Sequence, residues 1–114
     1  MSRSLIERRL VDVTDRLRQL NDDLRVHDEQ LAHFVEEADD ARLRSLVSET
    51  PLAEQEHREA ARHAAAMERG RDEVVGEIAR LESLQDSLLD QLQSLAAPRE
   101  PRLTEPPAAS EQPR

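Results

Sequence analysis

Two stripes of mostly apolar residues, with steps that alternate between three and four positions, constrain this 114-residue chain more than any other feature. The first stripe consists of Ile6, Leu10, Val13, Leu17, Leu20, Leu24, His27, Leu31, Phe34, Ala38 and Ala41. The second stripe consists of His57, Ala60, Ala64, Met67, Arg71, Val74, Ile78, Leu81, Gln85, Leu88, Leu92 and Leu95. A repeat that averages 3.5 residues keeps one side of a helix against a partner helix, so both stripes predict a left-handed coiled coil.

Helix one is predicted over residues 4–47. Ser4 followed three residues later by Glu7 matches a capping box, in which each side chain bonds a free backbone N–H of the first turn. The stripe weakens after Ala41, and the apolar residues that follow shift to a neighbouring face, as an insertion in the repeat would cause. These residues are Leu43, Leu46 and Val47.

Helix two is predicted over residues 51–97, after a turn at 48–50. Thr50 and Pro51 suit the N-cap and the first helical position, because the threonine hydroxyl accepts a backbone bond and proline has no N–H to lose. Pro98 ends the helix, since its ring cannot continue the backbone hydrogen bonding. Pro98, Pro101, Pro106, Pro107 and Pro113 then mark a disordered Pro-rich tail over residues 98–114.

Two long helices joined by so short a connection must fold back on one another. We therefore predict an all-α chain in which residues 1–97 form an antiparallel two-helix coiled-coil hairpin, alone or paired into a four-helix bundle. Centring the hairpin on its proline elbow places Ile6 beside Leu95 and Phe34 beside Met67.

The charges agree with this arrangement. Helix one is acidic and without arginine from Asp28 to Asp40, whereas the facing part of helix two carries several arginines. Near the open end the signs reverse, and Arg18 lies across from Glu82. Such pairs select partner and direction more than they add stability. The acidic block has a second interpretation, as a docking patch for a basic partner.

Composition excludes several classes of function. A net charge of −9 disfavours nucleic acid and anionic membranes as partners, because phosphate repels an acidic protein. A single aromatic residue with 36% charged residues suits long helices with a narrow seam better than a broad core. With no membrane-length apolar run and no signal-peptide core, we expect a cytoplasmic protein.

Catalytic residues and cofactor or metal sites are not predicted. The chain has no cysteine, no glycine-rich phosphate loop and no grouping of serine, histidine and aspartate that a hairpin could gather in a cleft. Glu54 and His57 form an E-x-x-H, the unit that di-iron bundles use twice, but inward glutamate partners are not evident. The leading function is therefore a non-enzymatic protein–protein interaction module, a small coiled-coil adaptor or scaffold.

Additional apolar residues lie beside the stripes near the open end, here called the base. They are Leu5, Val11, Leu84 and Leu89. Apolar positions that widen a seam favour a four-helix bundle, so we expect a homodimer or packing onto another helical protein. The alternative is that these residues thicken a monomeric hairpin.

Polar residues interrupt the seam at three positions, His27, Arg71 and Gln85. Such residues in a coiled coil fix its register at a cost in stability. A pH switch at His27 is the other interpretation.

The tip carries apolar residues as well. Leu43, Leu46, Val47 and Leu52 are candidates for a small binding patch. In outline the hairpin resembles the coiled-coil arm of Gre-type transcription factors, which presents acidic residues at its end; Asp39 and Asp40 lie about three turns below the turn. The resemblance is one of shape, and it implies an alternative function as a rod-like regulator that inserts its tip into a larger machine such as the transcription apparatus.

Overall fold

The computed structural model describes residues 2–96, which form two long helices. Helix α1 spans Arg3–Ser48 and helix α2 spans Pro51–Ala96; each has 46 residues. The helices pack along one another as a hairpin, and the described residues include no strand. The predicted two-helix hairpin is thus confirmed. The predicted tail at 98–114 lies outside the described residues.

The first turn of α1 is capped by Ser2 rather than by Ser4. Ser2 has an extended backbone, and its hydroxyl accepts a hydrogen bond from the Leu5 N–H at 3.2 Å. Glu7 pairs instead with Arg3 at 3.2 Å, one turn before it. The predicted capping box at Ser4 is wrong, because a second serine two residues upstream serves the same purpose and lets the helix begin earlier.

The elbow between the helices consists of Glu49 and Thr50. Glu49 takes the left-handed conformation, with φ 53° and ψ 36°, and its N–H donates to the Ser45 carbonyl at 3.0 Å. The Thr50 hydroxyl accepts from the Ala53 N–H at 3.1 Å, and Pro51 begins α2. The predicted Thr50–Pro51 start is therefore confirmed, and the reversal needs no glycine.

The core follows the two stripes. Every predicted stripe residue is buried or half-buried except Leu95, which is exposed near the end of α2. The largest buried side chains gather at the base and are joined there by half-buried leucines and valines. They are Ile6, Val13, Leu17, Leu20, Ile78 and Leu88.

Near the elbow the seam continues through small residues. Ser45 is half-buried four positions after Ala41, and Ala53 is buried four positions before His57. The predicted insertion in the repeat is wrong: the two-residue elbow holds the helices close, and small side chains occupy the seam positions that leucines would overfill. The nearby leucines consequently point outward.

Contacts between the helices fix their register. Gln85 bonds Thr14 at 3.2 Å, and Phe34 packs edge-on against His63 with ring centroids 6.0 Å apart. His63 lies one turn nearer the elbow than Met67, the residue predicted beside Phe34.

Within the described part of the chain, two ion pairs join the helices, Arg16 to Glu77 at 3.3 Å and Arg71 to Asp28. The predicted pair of Arg18 with Glu82 does not form. Arg18 bonds Asp15 on its own helix at 3.0 Å, since a residue three positions away on one helix is closer than the neighbouring helix.

Candidate functional site

The polar residues of the seam are the first candidate site. Gln85 donates to Thr14, and the Arg71 guanidinium donates through Nε to the Asp28 carboxylate. This hydrogen bond and the negative charge of Asp28 raise the pKa of Arg71. Both bonds therefore connect seam positions of α2 to α1 at a defined height along the hairpin.

His27, the third of these residues, has a different environment. Its Nδ1 atom is buried and has no hydrogen-bond partner among the described residues. The ring lies against Gly70, where an added Cβ would come within 3.5 Å of His27 Cε1. The glycine thus leaves a shallow space that the imidazole covers. We find no charged group paired with His27 that would support the pH-switch interpretation within residues 2–96.

The bonds also distinguish the two sides of the hairpin. Thr14 and Asp28 each directly follow a seam residue of α1, so helical spacing places both on the same side. Val35, three heptads after Thr14, falls on that side too. On α2, Leu89 and Val75 directly follow seam residues and lie two heptads apart.

This side has the more apolar surface, which we call the apolar face. Near the base it contains a groove of about 380 Å³. The groove is lined by Leu10, Val11, Thr14, Asp15, Gln85 and Leu89. Val11 and Leu89 form its exposed apolar wall on the two helices. Towards the elbow the same face carries the exposed side chains of Val35 and Val75.

The opposite side is the charged face. It contains the ion pair of Arg16 with Glu77 and, near the elbow, an open groove of about 360 Å³. Its charged lining residues are Glu37, Asp40, Arg44, Glu56 and Glu59, and His63 lies beside them. Part of the predicted acidic docking patch, Glu37 and Asp40, therefore lies in this groove beside carboxylates from α2.

The predicted base patch is divided between the two faces. Val11 and Leu89 share the groove of the apolar face, whereas Leu84 belongs to the charged face. Leu84 and Leu89 are five residues apart, which turns their side chains about 140° from one another around the helix. Leu5 precedes the seam residue Ile6, and this places it on the charged face too. A single surface of all four residues is therefore not formed.

All four residues of the predicted tip patch are exposed. Leu43, Leu46 and Val47 follow the three- and four-residue spacing of one helix face, and Leu52 lies in the first turn of the other helix, beside the elbow. Val47 is 84% exposed and Leu52 is 64% exposed. These side chains pack against neither helix to any large extent, so the apolar surface at this end remains open.

Val35 was not among the predicted site residues. It is exposed and lies on the apolar face, although its charged neighbours Glu36 and Glu37 mask it in the sequence. The signal that could have found it is its position directly after Phe34, a seam residue, which repeats the relation of Thr14 to Val13.

Among residues 2–96, no three histidine, aspartate or glutamate side chains are placed so that together they could hold a metal ion. His57 of the E-x-x-H is half-buried in the seam, with its Nδ1 unpaired. Neither described helix has a segment long and apolar enough to cross a membrane.

Comparisons with protein-family models, curated proteins and solved structures gave no match for this chain.

Proposed function

We propose that the chain is a non-enzymatic protein–protein interaction module, an adaptor or scaffold that forms a homodimer through the base of its apolar face. The observation that supports this most is the groove in which Val11 and Leu89, from different helices, expose apolar surface side by side. Apolar residues grouped in this way beside a polar rim are typical of a protein interface.

The energetics favour a second helical pair on this groove. Complete burial of a valine or leucine side chain contributes about 1.5–3 kcal/mol, and these two side chains have roughly half of that still to gain. A two-fold interface counts each residue twice, because the same patch is used on both copies. Such a gain helps to offset the entropy that association costs.

The chain offers a matched pair of variants for testing this proposal. Leu89 is 44% exposed on the apolar face, and Leu84 is 42% exposed on the charged face of the same helix. We expect the wild type to dimerise over a concentration series in sedimentation velocity, Leu89→Asp to remain monomeric, and Leu84→Asp to behave as the wild type. Circular dichroism checks that both variants stay helical.

Two results would contradict the proposal. If the wild-type protein remains monomeric at every concentration, the chain does not self-associate. If Leu89→Asp and Leu84→Asp lose the dimer to the same extent, the groove is not the dimer surface.

A second candidate function concerns the tip. The exposure of Val47 and Leu52 favours a rod-like regulator that inserts its elbow end into a larger machine such as the transcription apparatus. A pull-down tests it by comparing the wild type with the double variant Leu46→Asp/Leu52→Asp and with Leu84→Asp as control. We expect only the tip variant to lose partners, and identical partner lists would discard this function.

A further inference from the structure

Two apolar residues of the tip extend the groove of the charged face. Val47 lies one heptad after Asp40, and Leu52 lies one heptad before Glu59, so both continue rows of residues that line this groove. Both side chains are exposed, and they lie on the two sides of the elbow. At the end of the rod, the groove therefore opens onto apolar surface from both helices.

The other two apolar residues of the tip point elsewhere. Leu46 directly follows the seam residue Ser45, which places it on the apolar face. Leu43 lies midway between Ala41 and Ser45, on the side of α1 opposite the seam. The tip thus exposes apolar surface in more than one direction, and the charges beside it distinguish these directions.

The charges between Glu37 and His63, the span of the groove, differ between the two faces. Those that directly follow a seam residue lie on the apolar face and balance: they are Asp39, Glu54, Arg42 and Arg58. Those that directly precede a seam residue lie on the charged face, and carboxylates predominate: they are Glu37, Asp40, Glu56, Glu59 and Arg44. Two further charges lie on neither face, because Glu49 is in the elbow and Arg62 lies on the side of α2 opposite the seam.

The carboxylates of the charged face are not neutralised within the described hairpin. Glu37 pairs with His33 at 3.3 Å, a contact that is ionic only when the imidazole is protonated. No ion pair within residues 2–96 involves the other three carboxylates of the groove. Gln55 donates a hydrogen bond to Glu59 at 3.5 Å, but an amide brings no charge. Carboxylates from both helices therefore share the groove with a single arginine, and cations from outside would relieve their repulsion.

We propose that the charged-face side of the tip is a docking surface for a basic amphipathic helix of another protein. Val47 and Leu52 contact the apolar side of that helix, and its lysines or arginines lie over the carboxylates of the groove. A helix is the fitting occupant because a groove between two helices accepts a third, as in a bundle. Complementary charge selects such a partner and speeds its association.

This inference extends the second candidate function, in which the tip is inserted into a larger machine, by naming the side of the tip and the chemistry of its partner. It does not require self-association, because the base groove with Val11 and Leu89 lies on the opposite face. The two proposals can therefore fail separately.

The partner's chemistry is tested with a synthetic helical peptide of leucine and lysine, whose binding to the full chain is measured by fluorescence anisotropy at low salt. One control peptide has glutamate in place of lysine, and another has alanine in place of leucine. We expect the leucine–lysine peptide to bind most tightly, and less tightly as salt is added. If either control peptide binds equally well, the surface does not recognise a basic amphipathic helix and the proposal is wrong.

The position of the surface is tested by two matched pairs of variants. Glu59→Gln and Glu54→Gln each remove one carboxylate from α2, on the charged face and on the apolar face. Leu52→Ala and Leu46→Ala shorten side chains of similar exposure, 64% and 60%, on the same two faces. We expect Glu59→Gln and Leu52→Ala each to weaken peptide binding about threefold, and Glu54→Gln and Leu46→Ala to leave it unchanged.

Two results with these variants would overturn the proposal. If both members of each pair weaken binding alike, the tip binds the peptide but the choice of side is wrong. If no variant changes the affinity, the peptide binds elsewhere on the acidic chain and the tip is not the docking surface. Circular dichroism checks that all four variants stay helical, and sedimentation of Leu89→Asp judges self-association independently.

Discussion

The base half and the elbow half of the hairpin are built from different seams. The base half, residues 2–25 and 74–96, buries large aliphatic side chains such as Leu20 and Leu88. The elbow half, residues 26–73, fully buries only Ala41 and Ala53 among the described residues. Because apolar burial is the main source of stability, the base half holds the hairpin together. The elbow half depends more on helix continuity and polar contacts, and it exposes the leucines of the tip.

The boundary between the halves is polar. Arg71 with Asp28, and His27 with Gly70, lie where the fully buried large side chains end. Segments with few buried apolar contacts open more readily than the core, so we expect the elbow half to exchange its amide hydrogens faster than the base half. The more open surface thus occurs in the part of the rod with the less extensive core.

The largest predicted effect comes from truncating the base seam. Leu20 is 2% exposed, and Leu20→Ala should lower the free energy of unfolding by about 2–4 kcal/mol, through lost burial and a residual cavity. Leu31→Ala, at a half-buried seam position in the elbow half, should cost clearly less. Urea unfolding followed by circular dichroism measures both. If both variants lose the same free energy of unfolding, the base half does not contribute more stability than the elbow half.

An enlargement near the elbow tests how close the helices are there. Ala41 is buried where small side chains line the seam, so Ala41→Leu should destabilise the chain by about 1–3 kcal/mol through overpacking. Ala32→Leu, outside the seam of the same helix, is the control and should change stability little. The unfolding midpoints of both variants measure these changes in stability. If Ala41→Leu is more stable than the wild type, the seam has room for larger side chains.

The smallest predicted effect concerns the boundary. An added Cβ at Gly70 would make ordinary contact with His27 at 3.5 Å, and alanine is the better helix former. Gly70→Ala should therefore stabilise the chain by up to about 1 kcal/mol in thermal unfolding. A loss of stability would show that the His27 ring needs the space that glycine leaves.

The sequence predicted the seam well because each heptad position is chosen by the same requirement, burial against a partner helix. The sequence was a less reliable guide where more than one residue suits the same structural role. Ser2 and Ser4 both suit an N-cap, and the leucines after Ala41 suggested an insertion although Ser45 and Ala53 continue the repeat.

The candidate site was less predictable for a physical reason. Which side of the hairpin a flanking residue occupies depends on whether it precedes or follows a seam residue, and on the register of the second helix. Leu84 and Leu89 are both leucines next to a seam residue of α2, yet they lie on opposite faces of the hairpin. Val35 belongs to the apolar face because it repeats the position of Thr14, and it is the hydrogen bond from Gln85 to Thr14 that identifies which face this is.

The claim on which this account depends is that a second copy covers one side of the hairpin and not the other. Radical footprinting of side chains in dilute and concentrated wild-type protein measures this directly. The account predicts that Val11 and Leu89 become protected on concentration. Leu5, Val26 and Leu84 should react equally at both concentrations. Protection of both faces, or of neither, would contradict it.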